Sequence, residues 1–197
     1  VAMGKQGTDF AKESADIIIT DDNFASIVRG VMEGRVAYAN IRKVIFLLVS
    51  TGAAELLLFL LTIPAGLPMP LLPVQLLWLN LVTNGVQHVA LAAEKPEGDE
   101  LTYPPRKPEE PIFDKVMITR TLYSAVVMAG VGFGLFYWLI AKGYDEAHAR
   151  NLLLLLFVIF ENFQALNARS EHHSLFHHGL FSSRLLVASV FGAQAIH

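Results

Sequence analysis

The sequence predicts a mainly α fold, a polytopic transmembrane helical bundle preceded by a short α/β segment. Three observations carry that expectation. Hydrophobic residues make up 53% of the 197 positions, and the mean hydropathy is +0.45, more apolar than a soluble core of this length needs. The apolar residues collect into runs long enough to cross a bilayer, separated by proline, glycine and charge. Lysine and arginine fall almost entirely on one side of those runs. A net charge of −3 gives no nucleic-acid footprint, and the absence of cysteine excludes disulfides and thiolate metal sites.

Residues 1–39 are soluble in character. Ala15 to Thr20, ADIIIT, is a β-branched run suited to a buried strand, and Asp21, Asp22 and Asn23 supply turn and helix-capping chemistry. From Phe24 onward, Ile27, Val28, Val31, Val36 and Tyr38 recur at helical spacing, interrupted by Gly30 and Gly34. The expectation is a strand, a turn, and a helix that continues into the membrane. Arg42 and Lys43 precede the first span, Val44 to Ile63, a 20-residue run whose one charge is Glu55. Pro64, Gly66, Pro68 and Pro70 predict a tight connection. A second span covers Leu71 to Ala93, with Pro73 in its first turn, where a missing N–H is harmless.

Glu94 to Asp114 is rich in proline and charge and reads as a solvated loop. Met117 to Ala141 forms a third span, in which Gly130, Gly132 and Gly134 offer close helix contact. Lys142 to Arg150 is a polar connection, Leu152 to Asn167 a fourth span holding Glu161, Asn162 and Gln164, and Leu185 opens a fifth. Thirteen cationic residues lie on the side of residue 1, against Lys142 and Arg150 on the other, so the N-terminus is expected in the cytoplasm. Short loops and no organelle-targeting pattern fit an integral protein of a bacterial-type plasma membrane. Val1 in place of a methionine, and an apolar run still open near His197, predict a piece of a longer polypeptide.

Chemistry concentrates in Leu76 to His88, LLWLNLVTNGVQH. Asn80, Thr83, Asn84, Gln87 and His88 stand at i, i+3, i+4, i+7 and i+8, one polar stripe on an otherwise apolar helix. On the first span Glu55 lies one turn from Thr51 and near Ser50. A charge at the bilayer centre costs about 2.5–3.5 kcal/mol, so an acid there marks a site. Glu55, Thr51, Asn80, Thr83, Asn84 and Glu161 form the oxygen inventory that a dehydrated hard cation requires. Gly85 would let the helix unwind and turn carbonyls toward the cavity. Asn80, Thr83 and Asn84 alone would also serve as packing glue at about 0.6 kcal/mol each. Two carboxylates on separate spans favour a cation site, because glue needs no charge. His88 has the chemistry of a proton carrier or of a histidine bonded to a neighbour. His172, His173, His177 and His178 could chelate a metal or lie in a solvated loop.

At these residues the chain resembles the C-terminal part of the P-type cation-transporting ATPases, in the group of the calcium pumps and the sodium and potassium pumps. VAMGKQGTDFAKESADIIITDDNFASIV is similar to the end of that family's phosphorylation domain, which is haloacid-dehalogenase-like. LLPVQLLWLNLVTNG resembles its sixth membrane helix, YPPRKPEEPIF the following loop, and FENFQALN its eighth helix. The resemblance implies a phosphorylation-domain end and stalk at 1–39, an ion-site hairpin of helices five and six at 40–93, a cytoplasmic loop at 94–116, and helices seven, eight and part of nine at 117–197.

Glu55, Asn80, Thr83 and Glu161 match positions where calcium pumps bind their ion. Asn84 departs from the pattern, which has aspartate there, and Gly52 stands in place of an asparagine. The missing ligands speak against copying a two-calcium stoichiometry and leave one divalent ion, monovalent ions or protons. The resemblance implies a transported cation such as Ca2+, with ATP and Mg2+ handled elsewhere in the parent. Its phosphorylated aspartate, nucleotide-binding domain and fourth membrane helix would be partners within the same polypeptide, beside the lipid membrane and no nucleic acid. The alternative is a non-catalytic ion-binding helical bundle or accessory protein without ATP turnover.

Overall fold

The computed structural model describes residues 1–96, 98–99, 101–102, 104–106, 110–169 and 183–196. It divides into two compact units, Val1–Ala39 with Pro96–Pro105, and Asn40–Lys95 with Arg106–His197. The histidines at 172, 173, 177 and 178 lie outside the described residues.

In the first unit β1 (Ala2–Met3) pairs in parallel with β2 (Ile18–Ile19), Ala2 opposite Ile18. Strand β2 is the core of the ADIIIT run. Strand β1 has no sequence signal of its own, since two residues are too few for a period. Between them lies α1 (Asp9–Glu13), capped by the Thr8 hydroxyl, which accepts from the Ala11 amide at 3.3 Å. Asp21 behaves as a turn residue, accepting from the Asn23 amide at 3.1 Å and the Ser26 hydroxyl at 2.5 Å. Asp22 departs from the expected capping role. With φ of 56° it turns back so that its carboxylate accepts the Lys5 and Gln6 amides at 2.8 and 3.0 Å, fastening the exit of β1 to the exit of β2.

Helix α2 (Ala25–Thr62) is continuous through Gly30 and Gly34, with residues 25–39 in the first unit and 40–62 in the second. The glycines cost propensity without interrupting the i→i−4 ladder. After Thr62 the chain reverses at Gly66, whose φ of 71° suits a residue without a Cβ. The expected second span is helical but built in three pieces: α3 (Pro73–Leu77), a π-helical turn (Trp78–Thr83) and α4 (Asn84–Ala92). The unwinding expected at Gly85 does not occur. The helix instead widens one turn earlier, and the Asn84 amide donates to Leu79, five residues back.

Helix α5 (Lys115–Ala141) is capped by Asp114, and α6 (Glu146–Ala168) by Asp145. Of the three glycines in α5 only Gly132 is a contact point, where a Cβ would come within 2.8 Å of the Phe157 ring. Gly130 and Gly134 have open space. Arg150 belongs to α6, where it donates to the Met69 carbonyl at 2.8 Å and to Glu146 at 2.6 Å. Helix α7 (Arg184–Ile196) packs against α4 and α6. Among the described residues α2, α5 and α6 are each long and apolar enough to cross a membrane.

The core of the second unit comes in two apolar clusters. One gathers Ala54, Leu58, Leu79, Met128, Phe136, Leu153 and Phe157. The other gathers Phe46, Leu47, Ala90, Leu91, Met117, Ala165 and Leu186. Along α2, the second span and α6 alike, the chain passes from one cluster to the other through a short polar stretch: 50–55, 80–87 and 161–164.

Candidate cation site

That polar stretch is one layer, enclosed by apolar side chains toward both ends of the bundle. Helix α2 brings Ser50, Thr51 and Glu55 to it, the second span Asn80, Thr83, Asn84 and Gln87, and α6 Glu161, Asn162 and Gln164. Ser50, Thr83, Asn84, Gln87 and Glu161 are fully buried and Glu55 is 9% exposed. A polar group withdrawn from water needs partners, and this layer supplies most of them internally.

The six residues singled out from the sequence come together in two adjoining sets. In one, Glu161 is the hub: its Oε2 accepts from the Thr83 hydroxyl at 2.5 Å and its Oε1 from the Asn84 amide at 3.2 Å. The same Asn84 amide donates to Thr51 Oγ1 at 3.3 Å, and the Thr51 hydroxyl turns back to the Leu47 carbonyl at 2.9 Å. The single Thr83 hydrogen is shared with the Leu79 carbonyl. In the other set, one turn farther along α2, both Glu55 oxygens accept from Asn80 Nδ2, at 3.2 and 3.0 Å. That amide also reaches the Leu76 carbonyl at 3.0 Å. Asn80 differs from its neighbours in being exposed.

Widening of the helix at 78–83 explains how one element serves both carboxylates. A π turn places an extra residue between flanks that keep their own faces, so Asn80 within the turn and Asn84 after it are aimed at different acids. The Asn84 Oδ1 atom is buried with no hydrogen-bond partner among the described residues, although its amide nitrogen makes two bonds. Amide, carboxylate and hydroxyl oxygens in one layer are chemically able to ligate a hard cation. Among the described residues no group of three or more His, Cys, Asp or Glu side chains converges. The layer therefore offers two carboxylates, with neutral oxygens for the rest.

Further polar residues extend the layer. Gln164 donates to Ser50 Oγ at 2.9 Å and accepts from the Ser124 hydroxyl at 3.3 Å, which joins α2, α6 and α5. Gln87 donates to Asn162 at 2.7 Å, and Asn162 to Gln194 of α7 at 3.1 Å. Ser124 and Gln194 escaped sequence reasoning, since a lone hydroxyl or amide in an apolar helix looks like ordinary glue. His88 Nε2 has no hydrogen-bond partner among the described residues.

Comparison with known proteins bears on what such a layer is for. The family described as "Cation transporting ATPase, C-terminus" matches residues 68–197. A probable cation-transporting ATPase F of Mycobacterium tuberculosis is 37% identical over 196 residues, 100% of this chain and 22% of that protein. Calcium-transporting ATPase 1 of Schizosaccharomyces pombe is 37% identical over 193 residues, 98% of this chain and 22% of its own length. A calcium-transporting ATPase of Bacillus subtilis is 35% identical over 195 residues, with the same two shares. The chain thus spans about a fifth of the length of the curated relatives it matches.

Proposed function

Because the chain belongs to the P-type cation-transporting ATPases, as part of their C-terminal membrane region, we propose that it supplies the intramembrane ligands of an ATP-driven calcium pump and links them to the phosphorylation domain. The observation that carries this reading is the buried layer in which Asn84 Nδ2 bonds both Glu161 and Thr51 while its Oδ1 has no hydrogen-bond partner among the described residues. Oxygen from carboxylate, amide and hydroxyl suits Ca2+, the ion in the names of the relatives from S. pombe and B. subtilis. Two carboxylates balance one divalent charge, so the layer takes one Ca2+ with Glu55, Glu161, Asn80, Thr83, Asn84 and Thr51 as the ligand pool.

The amides of Asn80 and Asn84 donate to the two carboxylates. Coordination of a cation requires those amides to turn their oxygens toward it, exchanging N–H donors for the cation. Continuity of α2 from residue 25 to 62 supports a mechanical role. On this reading α2 couples the phosphorylation domain to Thr51 and Glu55, the basis of alternating access. The cationic bias supports a cytoplasmic N-terminus, and the short loops support a bacterial-type plasma membrane. ATP and Mg2+ act on the rest of the polypeptide, whose fourth membrane helix completes the ion site.

The test is calcium-stimulated ATP hydrolysis by the full-length parent. Glu161→Gln and Glu55→Gln each raise the calcium concentration for half-maximal stimulation by about tenfold or more, since divalent affinity follows the charge of the ligands. Unchanged calcium dependence in both variants overturns the reading.

A further inference from the structure

One side chain of the polar layer stands outside the ligand pool of the proposed site and has a buried oxygen to spare. Gln87 is fully buried, and its Nε2 donates to Asn162 Oδ1 at 2.7 Å. Its Oε1 is buried and has no hydrogen-bond partner among the described residues. Asn84 Oδ1, one turn earlier on α4, is in the same condition. An amide oxygen withdrawn from water is unfavourable until something binds it. A cation satisfies such oxygens and a nearby carboxylate together, whereas a water molecule leaves the carboxylate's charge unbalanced.

The bonds around Gln87 give its amide a direction. Asn162 Nδ2 donates in turn to Gln194 Oε1 at 3.1 Å, so amides of α4, α6 and α7 form a row in which each nitrogen donates away from Gln87. Gln194, at the far end, is exposed. Amide dipoles aligned head to tail reinforce one another, and the negative end of this row is the buried Gln87 oxygen. Gln87 follows Thr83 by four residues and Asn84 by three, the spacings of side chains that share a helix face. Both of those residues bond Glu161, and Asn162 is the next residue along α6. A spare amide oxygen beside a carboxylate hub is the kind of neutral ligand that a hard cation recruits. Resting on the reading of the layer as a cation site, we propose that Gln87 is a further ligand of that cation through Oε1, with Asn162 and Gln194 holding it in position.

The test is equilibrium binding of calcium to the full-length parent, with Glu161→Gln and Glu55→Gln measured alongside. Gln87→Leu removes the oxygen and weakens calcium binding about fivefold, less than the loss of a carboxylate, because the ligand is neutral. Gln87→Glu keeps an oxygen and adds charge, and it binds calcium at least as tightly as the parent. Both substitutions remove the amide nitrogen that donates to Asn162, so a Gln87 that only packs the helices together would weaken binding equally in the two. Gln194→Leu breaks the outer link alone and weakens binding about twofold; unchanged binding there overturns the positioning role of the row. Where a carboxylate variant weakens binding, full binding in Gln87→Leu or equal weakening in Gln87→Glu overturns the role of Gln87 and leaves the cation site standing. Where neither carboxylate variant weakens binding, the cation site falls and Gln87 with it. Should Gln87→Leu fail to fold, Gln87→Glu decides alone, and binding weaker than the parent's overturns the proposal.

Discussion

Helix α2 and the segment facing it carry the same chemistry on opposite designs. Helix α2 is an unbroken run of 38 residues, and the polar groups it brings to the layer, Ser50, Thr51 and Glu55, fall within two turns. The facing segment reaches the same layer through pieces of five, six and nine residues, the middle one π-helical. A continuous ladder resists local change, so residues 40–62 of α2 hold Glu55 on a stiff support. A π turn has weaker, misaligned bonds and an extra residue to redistribute, so Asn80, Thr83 and Asn84 can re-aim without unfolding their flanks. The contrast teaches that both carboxylates of the layer sit on continuous helices, α2 and α6, while Asn80, Thr83 and Asn84 sit on the broken segment. On the proposed reading, a site that holds and then releases an ion uses both.

The largest effect expected from this contrast comes from Glu161, to which the broken segment is bonded where its π turn ends, through Thr83 and Asn84. Glu161→Ala takes one of two acceptors from the Thr83 hydroxyl and one of two from the Asn84 amide, all at fully buried positions. Each hydrogen bond to a charged group that is lost costs about 1.5–3 kcal/mol. Glu55→Ala strands only Asn80, which is exposed and finds other partners. Thermal melting of the calcium-free full-length parent is expected to fall farther for Glu161→Ala than for Glu55→Ala. Equal losses would break the distinction between a buried hub and an open edge.

Next in size is Asn84→Asp. The substitution removes both amide donors and sets a second carboxylate against Glu161, unfavourable in the absence of a cation and favourable in its presence. The melting midpoint without calcium drops, by about 1–3 kcal/mol of stability for the lost donors. Added calcium then raises it by more than in the parent. A variant that melts like the parent with and without calcium would detach Asn84 from the ion.

Deletion of Leu81 sharpens the same comparison at smaller cost. Leu81 is an exposed apolar residue inside the π turn, and its removal returns the segment to α geometry with both flanks on their present faces. Folding survives, while calcium affinity falls about tenfold because Asn80 and Asn84 no longer address separate acids. Affinity equal to the parent's would show the widened turn to be incidental.

Much of this was legible in the sequence because the membrane imposes a simple rule. An apolar run of bilayer length must be helical, and an acid within it must face something polar. Glu55, Glu161 and the stripe from Asn80 to His88 followed from that rule and from the resemblance. The π turn did not follow, since i, i+3, i+4 spacing is compatible with either helix until the hydrogen bonds are traced. Strand β1 is too short to show a period. Arg42 and Lys43 read as surface charges of a membrane flank, yet both are buried. The signal for Arg42 was Asp114, an acid at the mouth of a helix 72 residues later, and pairing at that range cannot be read from one sequence.

Asp114 gives the smallest effect and tests how firmly the rigid side of the comparison is held. It caps α5 through the Met117 amide at 2.7 Å and accepts from Arg42 of α2 at 2.7 Å, so one carboxylate joins the base of α5 to α2. Partial burial pushes its carboxyl up, but the Met117 amide, the Arg42 bond and the fields of Arg42 and Arg106 outweigh that and hold it below its usual 3.8. A lowered folded value means that the stabilisation is complete above pH 3.8 and fades as pH falls below it, through the folded value. Asp114→Ala is expected to cost about 1 kcal/mol at neutral pH from the lost cap. Asp114→Asn retains the cap and loses the charge, so its melting deficit relative to the parent should narrow in acid. If that deficit stayed constant with pH, the ion pair with Arg42 would contribute nothing, and α2 would be held at this end by its apolar contacts and its neutral hydrogen bonds, such as that from Arg42 to the Ile112 carbonyl.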